Sequence, residues 1–180
     1  QQKAALQMQD GQFLAVVRTA AKPCLIFLNS QSRCERKAQL LLTQFPRLKV
    51  SPFHAGMTLE RKNAVLRAAM ACQFDVLCCT VAFGMGVNVP INAVIHWELP
   101  LNIESYVQAI GRAGRDGSMA HCTLFWNLSE VAALKTRVRR DGIAVERRAA
   151  SALDVERYCC LSSCRHQFLV DYFQSPEVLA

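Results

Sequence analysis

Nowhere in these 180 residues is there a run of about 18 apolar positions, so no segment reads as a membrane-spanning helix. The N-terminal stretch QQKAALQMQD has neither a basic start nor a hydrophobic signal core. No internal repeat or low-complexity segment is evident. Also missing is a G-x-x-x-x-G-K-[ST] loop, the glycine-rich turn whose amides cradle phosphates, together with an acidic strand end to hold Mg²⁺. Gly84-Met85-Gly86 lacks the lysine and is followed by no suitable helix. The nine cysteines are an odd number scattered through apolar runs such as Asp75 to Thr80 (DVLCCT), the pattern of reduced core thiols and not of a disulfide framework. The expectation is a soluble intracellular protein, and Gln1 in place of Met adds the expectation of a fragment.

What is present fits one well-buried domain of about 100 to 150 residues plus an appendage. The formal charge of +7 and pI near 9.1 suit a nucleic-acid partner, although net charge speaks to attraction and not to fold.

Leu6, Phe13, Leu14 and Val17 make a loosely helical pattern that Asp10 and Gly11 interrupt and Pro23 closes. Cys24 to Leu28 (CLIFL) is a continuous apolar run, as in a fully buried parallel strand, and Asn29-Ser30 ends it with turn and capping residues. Helices over 31–45, 58–71 and 103–110 alternate with strands over 49–53, 75–79, 93–97 and 120–126. Thr58, with Glu60 and Arg61, opens the second of these helices, whose Leu59, Ala64, Val65, Ala68 and Ala69 supply one buried stripe. The alternation predicts an α/β fold of βαβ units around a parallel sheet. After Trp126 only helices remain: 128–140 with a basic outer face, a break at Asp141-Gly142, then 145–160 and 164–173. The α/β core is expected over 1–127 and a helical segment over 128–180.

The stretch TVAFGMGVNVPINAVIHWELPLNIESYVQAIGRAGRDG, residues 80–117, ends in Arg112 and Arg115, three apart behind Gln108. That spacing puts both guanidiniums on one side of a helix end, where two bidentate cations suit a polyphosphate and point to a nucleoside triphosphate. For a lone GRxGR, an arginine-rich helix end capping itself with Asp116 stands as the alternative. The order Q-x-x-G-R-x-G-R-D-G, preceded by A-F-G-M-G and L-P-x-x-I-E-S-Y, closely resembles the second motor domain of RecQ-family DNA helicases. The resemblance extends over roughly residues 23–173.

That resemblance implies a RecA-like lobe of the P-loop NTPase type, the second motor lobe of an ATP-dependent helicase that moves 3′ to 5′ along DNA. ATP with Mg²⁺ would be bound jointly with an N-terminal RecA-like lobe carrying the phosphate loop, so this chain alone is not expected to hydrolyse ATP. By resemblance, Arg115 is the arginine finger, Arg112 beside it couples nucleotide state to lobe closure, and Gln108 orients the pair. The loop with Thr80, Phe83, Gly84 and Gly86 would contact nucleotide and nucleic-acid backbone at a strand end. Asn88 departs from the Asp of many relatives, keeping one acceptor for the ribose hydroxyls but losing the charge.

Phe53-His54-Ala55-Gly56-Met57 and Asn29-Ser30 match two further elements of the family that follow strands, where Ser30, His54, Ala55 and Gly56 would grip sugar-phosphate without reading sequence. His54 taken alone fits a structural histidine as well, and His96 within a strand is read as structural. Lys135, Arg137, Arg139, Arg140, Arg147 and Arg148 line a DNA path or form a solvated face relieved by Asp141 and Glu146. Phe125 and Trp126 read as core, not as a base-stacking platform. Arg157-Tyr158-Cys159-Cys160-x3-Cys164-Arg165-His166 resembles the start of the family's zinc-binding subdomain, with Cys164 as its first ligand. The other three ligands would follow the Tyr172-Phe173 segment, so Zn²⁺ is expected in the full-length protein and not here.

Two other readings stand beside this one. Another superfamily 2 motor, such as an RNA helicase, would share the α/β lobe, whereas E-S-Y-x-Q with G-R-A-G-R-D-G and the C-R-H segment favours the RecQ type. A non-catalytic DNA- or protein-binding remnant lobe would have no physical need for Gln108, Arg112 and Arg115 together.

Overall fold

The apolar runs become strands and the segments between them helices, in the order α1 (Gln2–Thr19), β1 (Cys24–Phe27), α2 (Gln31–Gln44), β2 (Val50–Phe53), α3 (Leu59–Met70), β3 (Val76–Cys79), β4 (Ala93–His96), α4 (Ile103–Ile110), β5 (His121–Leu124), α5 (Leu128–Val138), α6 (Val145–Cys160) and α7 (Arg165–Gln174). The computed structural model describes residues 2–83, 89–138 and 145–175. Two compact units form, one of residues 1–99 and 104–125, the other of residues 100–103 and 126–180.

The first unit holds a five-stranded sheet in the order β2-β3-β1-β4-β5, and every neighbouring pair is parallel. β1, β3 and β4 are buried at all four positions, as strands covered on both faces require. The period of two sorts their side chains. Cys24, Ile26, Cys78 and Ile95 pack with Phe13 and Val17 of α1 and with Ala38 and Leu41 of α2. Leu25, Phe27, Leu77 and Val94 pack with Phe53, Phe83, Ala69 of α3 and Ala109 of α4. The α/β expectation is met, and β5 forms an edge strand with mostly exposed residues. Ser30 caps α2 and Thr58 caps α3, each accepting from the amide three residues on.

Three local expectations need correction. Asp10-Gly11 does not interrupt α1, which runs unbroken through both residues. Asp10 is held there by the Lys37 ammonium at 2.5 Å, and a Cβ at Gly11 would meet nothing within 4 Å. The helix penalty of glycine, about 1 kcal/mol, is outweighed by burying Phe13 and Val17 at roughly 1.5 to 3 kcal/mol each. Along α3, Leu59 is 74% exposed and Ala64 is also exposed, so the buried contact is Ala69, flanked by half-buried Val65 and Ala68. After β5, Phe125 packs on Trp97 with ring centroids 4.8 Å apart, but Trp126 is 37% exposed and is not core.

Buried thiols bear out the reading of reduced core cysteine. Cys24, Cys34, Cys78 and Cys79 are free and buried. Burial pushes Cys24 and Cys34 up to about 12, and raises Cys78 and Cys79 as well. Such thiols carry little thiolate and are poor nucleophiles.

His96, at the end of β4, is structural as expected. Its ring stacks on Phe27 at 5.0 Å and lies 5.1 Å from Tyr106, and burial pulls its imidazole from 6.5 down to about 4. Above pH 6.5 both folded and unfolded His96 are neutral. Between 6.5 and 4 only the unfolded chain takes up the proton, so stability falls with pH by up to about 3 kcal/mol through this group. Denaturant midpoints measured across that window should drop as the pH falls, and His96→Leu should flatten the drop.

In the second unit α5 packs on α6, with Lys135 bonded to Glu156 at 2.5 Å, and Val131, Leu134, Val155 and Tyr158 buried. Tyr158, Phe168, Tyr172 and Phe173 form a chain of ring contacts with centroids 5.7, 6.3 and 5.2 Å apart.

Candidate functional site

The two arginines do not ride on a helix. α4 stops at Ile110, and Gly111 to Gly117 is a succession of turns. The amides of Arg112 and Ala113 bond three residues back, to Ala109 at 3.2 Å and Ile110 at 3.0 Å, tightening the chain out of α geometry. Gly114 then takes φ +64°, and its amide donates to the Ile91 carbonyl at 3.0 Å, tying the turn to the segment that leads into β4. A Cβ at Gly114 would lie 2.7 Å from the Ser118 oxygen, so both conformation and space demand glycine.

Arg115 is exposed, and its Nε donates to the Gly111 carbonyl at 3.0 Å. Arg112 is half-buried; burial first, and the like charge of Arg115 second, pull its guanidinium below its ordinary value. Two guanidiniums whose charges act on one another in this way suit an anionic ligand. The neighbouring Asp116 is engaged within the turn. Its carboxylate accepts from the Ser118 hydroxyl at 2.6 Å and amide at 3.0 Å, bonds that hold it below the usual carboxylate range. Of the self-capping alternative, the turn shows Arg115 on the Gly111 carbonyl, with Asp116 bonded to Ser118. Gln108 stands exposed on α4.

The remaining candidates gather where the parallel strands end. Asn29-Ser30 follows β1, His54 to Met57 follows β2, Thr80 follows β3, and Trp97 to Leu99 follows β4. Ala55 and Gly56 are exposed; a Cβ at Gly56 would come 2.1 Å from Gln31 Oε1, so the loop lies directly on the start of α2. Lys62 Nζ donates to the Ala55 carbonyl at 2.6 Å. Thr80 is half-buried, its amide bonded to the Phe53 carbonyl at 3.1 Å. The arginine turn, tied to Ile91 ahead of β4, is attached at the opposite end of the strands.

Two candidates are displaced from the surface. Phe83 is buried and packs edge-on against Phe53 at 5.1 Å, so its side chain belongs to the core and not to a contact surface. His54 is also buried, with Nε2 3.1 Å from Glu35 Oε1, which in turn lies 3.7 Å from Arg61. Gly84, Gly86 and Asn88 lie outside the described residues, as do Arg139, Arg140, the Asp141-Gly142 break, and the side chains of Arg137, Glu146, Arg147 and Arg148.

Sequence reasoning missed Glu98. This carboxylate is buried, accepts from the Asn29 amide at 2.7 Å and from the Arg33 guanidinium, and so joins the ends of β1 and β4. A lone acid two residues after a buried strand was the available signal. Among the described residues no group of three or more His, Cys, Asp or Glu could hold a metal. Cys159 is buried, with burial pushing its thiol up to about 11, while Cys160 and Cys164 are exposed. The described residues by themselves do not make a zinc site.

No helix among the described residues is long and apolar enough to cross a membrane. The helicase conserved C-terminal domain family matches residues 11–117, from within α1 through the arginine turn. The RecQ-like DNA helicase blm-1 of Caenorhabditis elegans is 34% identical over 157 residues, covering 84% of this chain and 16% of that protein. ATP-dependent DNA helicase RecQ of Pasteurella multocida is 32% identical over 162 residues, covering 88% of this chain and 25% of that protein. Human ATP-dependent DNA helicase Q4 is 44% identical over 114 residues, covering 56% of this chain and 9% of its own length. The chain thus spans between 9% and 25% of these three relatives. In fold, it is similar to the yeast DEAD-box splicing factor Prp28 (TM-score 0.60, 17% identity, 78% of this chain and 30% of that one). A DEAD box protein from Methanococcus jannaschii gives TM-score 0.60 at 22% identity, over 78% of this chain and 37% of that one. These identities speak to the RecA-like fold alone. With the family match running from α1 through β4 to the arginine turn, the chain belongs to the helicase conserved C-terminal domain family and is similar to its RecQ-like members.

Proposed function

We propose that this chain is the second motor lobe of an ATP-dependent DNA helicase moving 3′ to 5′, and that it supplies Arg115 to the γ-phosphate of ATP held on a separate phosphate-loop lobe. The observation that supports this most is the pinned arginine turn. Gly114 anchors it to Ile91, Arg115 is exposed, and Arg112 and Arg115 repel one another. Two neighbouring guanidiniums, one of them exposed, suit a triphosphate. Charge developing on the transferred phosphoryl group is then met by a cation already in place, an effect worth about 10³ to 10⁵ in rate. Arg112 stands beside it to sense the nucleotide, and Gln108 orients the pair. The phosphate loop and the Mg²⁺ ligands belong to the other lobe.

The ends of the strands carry the nucleic acid in this reading. Ser30, the exposed Ala55-Gly56 backbone and Thr80 take sugar-phosphate without reading sequence. His54 supports this surface from beneath through Glu35. Gly84, Gly86 and Asn88 complete the nucleotide side. Residues 1–127 constitute the motor lobe and 128–180 the start of a zinc-binding subdomain, with Cys164 as its single family-matched ligand. The protein works inside the cell.

The 180-residue chain alone should show no DNA-stimulated ATP turnover, while a longer helicase that joins it to a GK[ST]-bearing lobe should show it. Turnover by the chain alone would overturn the proposal.

A further inference from the structure

We infer that Glu98 is a positioning residue for nucleic-acid binding, its buried carboxylate holding the Arg33 guanidinium ready for a backbone phosphate. The inference rests on the reading that the strand ends carry the nucleic acid. Glu98 comes two residues after the end of β4 and Arg33 lies in the first turn of α2, so the pair joins residues 65 apart in the chain. Both carboxylate oxygens are engaged: Oε1 accepts from Arg33 Nη1 and Oε2 from the Asn29 amide at 2.7 Å. A second bond, from Asn29 Nδ2 to the Leu99 carbonyl at 2.8 Å, clamps the same two turns together. An acid removed from water in this way requires partners, and it has them.

The asymmetry of the pair carries the argument. The Glu98 side chain is 8% exposed, whereas that of Arg33 is 52% exposed. Guanidinium has five N–H donors, more than one carboxylate oxygen occupies, and the half-solvated end retains donors for a second anion. The Arg33 amide also donates to Ser30 Oγ at 3.3 Å, which sets the cation one turn from the capping hydroxyl proposed as a contact. An arginine fixed before encounter loses less side-chain freedom on binding than a free one.

The test is equilibrium binding of a fluorescein-labelled oligo-dT to the 180-residue chain across a salt series. Arg33→Gln should weaken binding about three- to tenfold and reduce the salt slope by about 0.7 to 1. Glu98→Gln keeps an oxygen for the Asn29 amide but releases Arg33. Charge alone predicts tighter binding to a polyanion once an acid is removed; the inference predicts binding about three- to tenfold weaker. Glu98→Asp retains the charge but is one methylene short, so it should also bind more weakly, which keeps the test open should Glu98→Gln fold poorly. The Glu98→Gln/Arg33→Gln pair should be no weaker than Arg33→Gln alone. Unchanged binding by Arg33→Gln, tighter binding by Glu98→Gln, or additive losses in the pair would each overturn the inference. Absence of salt-dependent binding by the unsubstituted chain would instead remove the underlying reading, and the inference with it.

Discussion

Arg115→Ala, made in the helicase that carries this lobe, is expected to lower kcat for DNA-stimulated ATP hydrolysis by about 10³ to 10⁵. Affinity for single-stranded DNA should stay within about twofold, because the contacts proposed for nucleic acid sit at the other end of the strands. The size follows from the chemistry. Phosphoryl transfer is accelerated chiefly by fixed charge aimed at the transferring group, and a missing guanidinium is not replaced by water, which must reorganise at each turnover. The turn itself should survive, since Gly114 and Ile91 hold it through backbone, and Arg115 contributes only an exposed side chain bonded to Gly111. Equal loss of turnover and DNA affinity would mean that the residue acts on the fold or on the nucleic acid instead.

The largest effect on stability is expected at Phe13. Its side chain is fully buried, meets Trp97 edge-on at 4.8 Å, and lies under the Lys37 ammonium at 4.4 Å from the ring centre. Truncation to alanine removes the ring and leaves a cavity, a change that typically costs about 3 to 5 kcal/mol. It also strips from Lys37 the nearer of two ring partners, leaving Trp97 at 5.3 Å, and Lys37 is itself buried and bonded to Asp10. For a chain of this size the melting midpoint should fall by roughly 6 to 20 °C. A loss below about 1 kcal/mol would show that α1 is a loosely attached helix and not part of the core.

Phe13 also shows where sequence reading succeeds and where it stops. The strands are legible because β1, β3 and β4 are covered on both faces, so their residues are apolar save for His96 at the end of β4. Caps are legible at Ser30 and Thr58 because a hydroxyl before an amphipathic segment has few other uses. At Asp10-Gly11 local propensity points to a break, but the helix is decided by partners elsewhere: Lys37 lies 27 residues away. No local pattern announces such a pairing. His54 and Phe83 fail for a related reason. Their motif context suggests contact, whereas tertiary packing turns both inward, and the exposed groups nearby are Arg61, 3.7 Å from Glu35, and Ala55 and Gly56. Glu98 escaped notice because its partners, Asn29 and Arg33, come from the far end of the chain. The arginines were found by spacing, but the reason for their presentation was not. That reason is the positive φ of Gly114 and its bond to Ile91, in place of a helix face.

The most direct measurement compares ADP with ADP plus aluminium fluoride, a mimic of the transferring phosphoryl group, as ligands of the helicase carrying this lobe. With Arg115→Ala, affinity for ADP should be unchanged and affinity for the aluminium fluoride complex should fall by at least about a hundredfold. Equal affinities of Arg115→Ala and the unsubstituted helicase for that complex would contradict the assignment of Arg115 to the γ-phosphate.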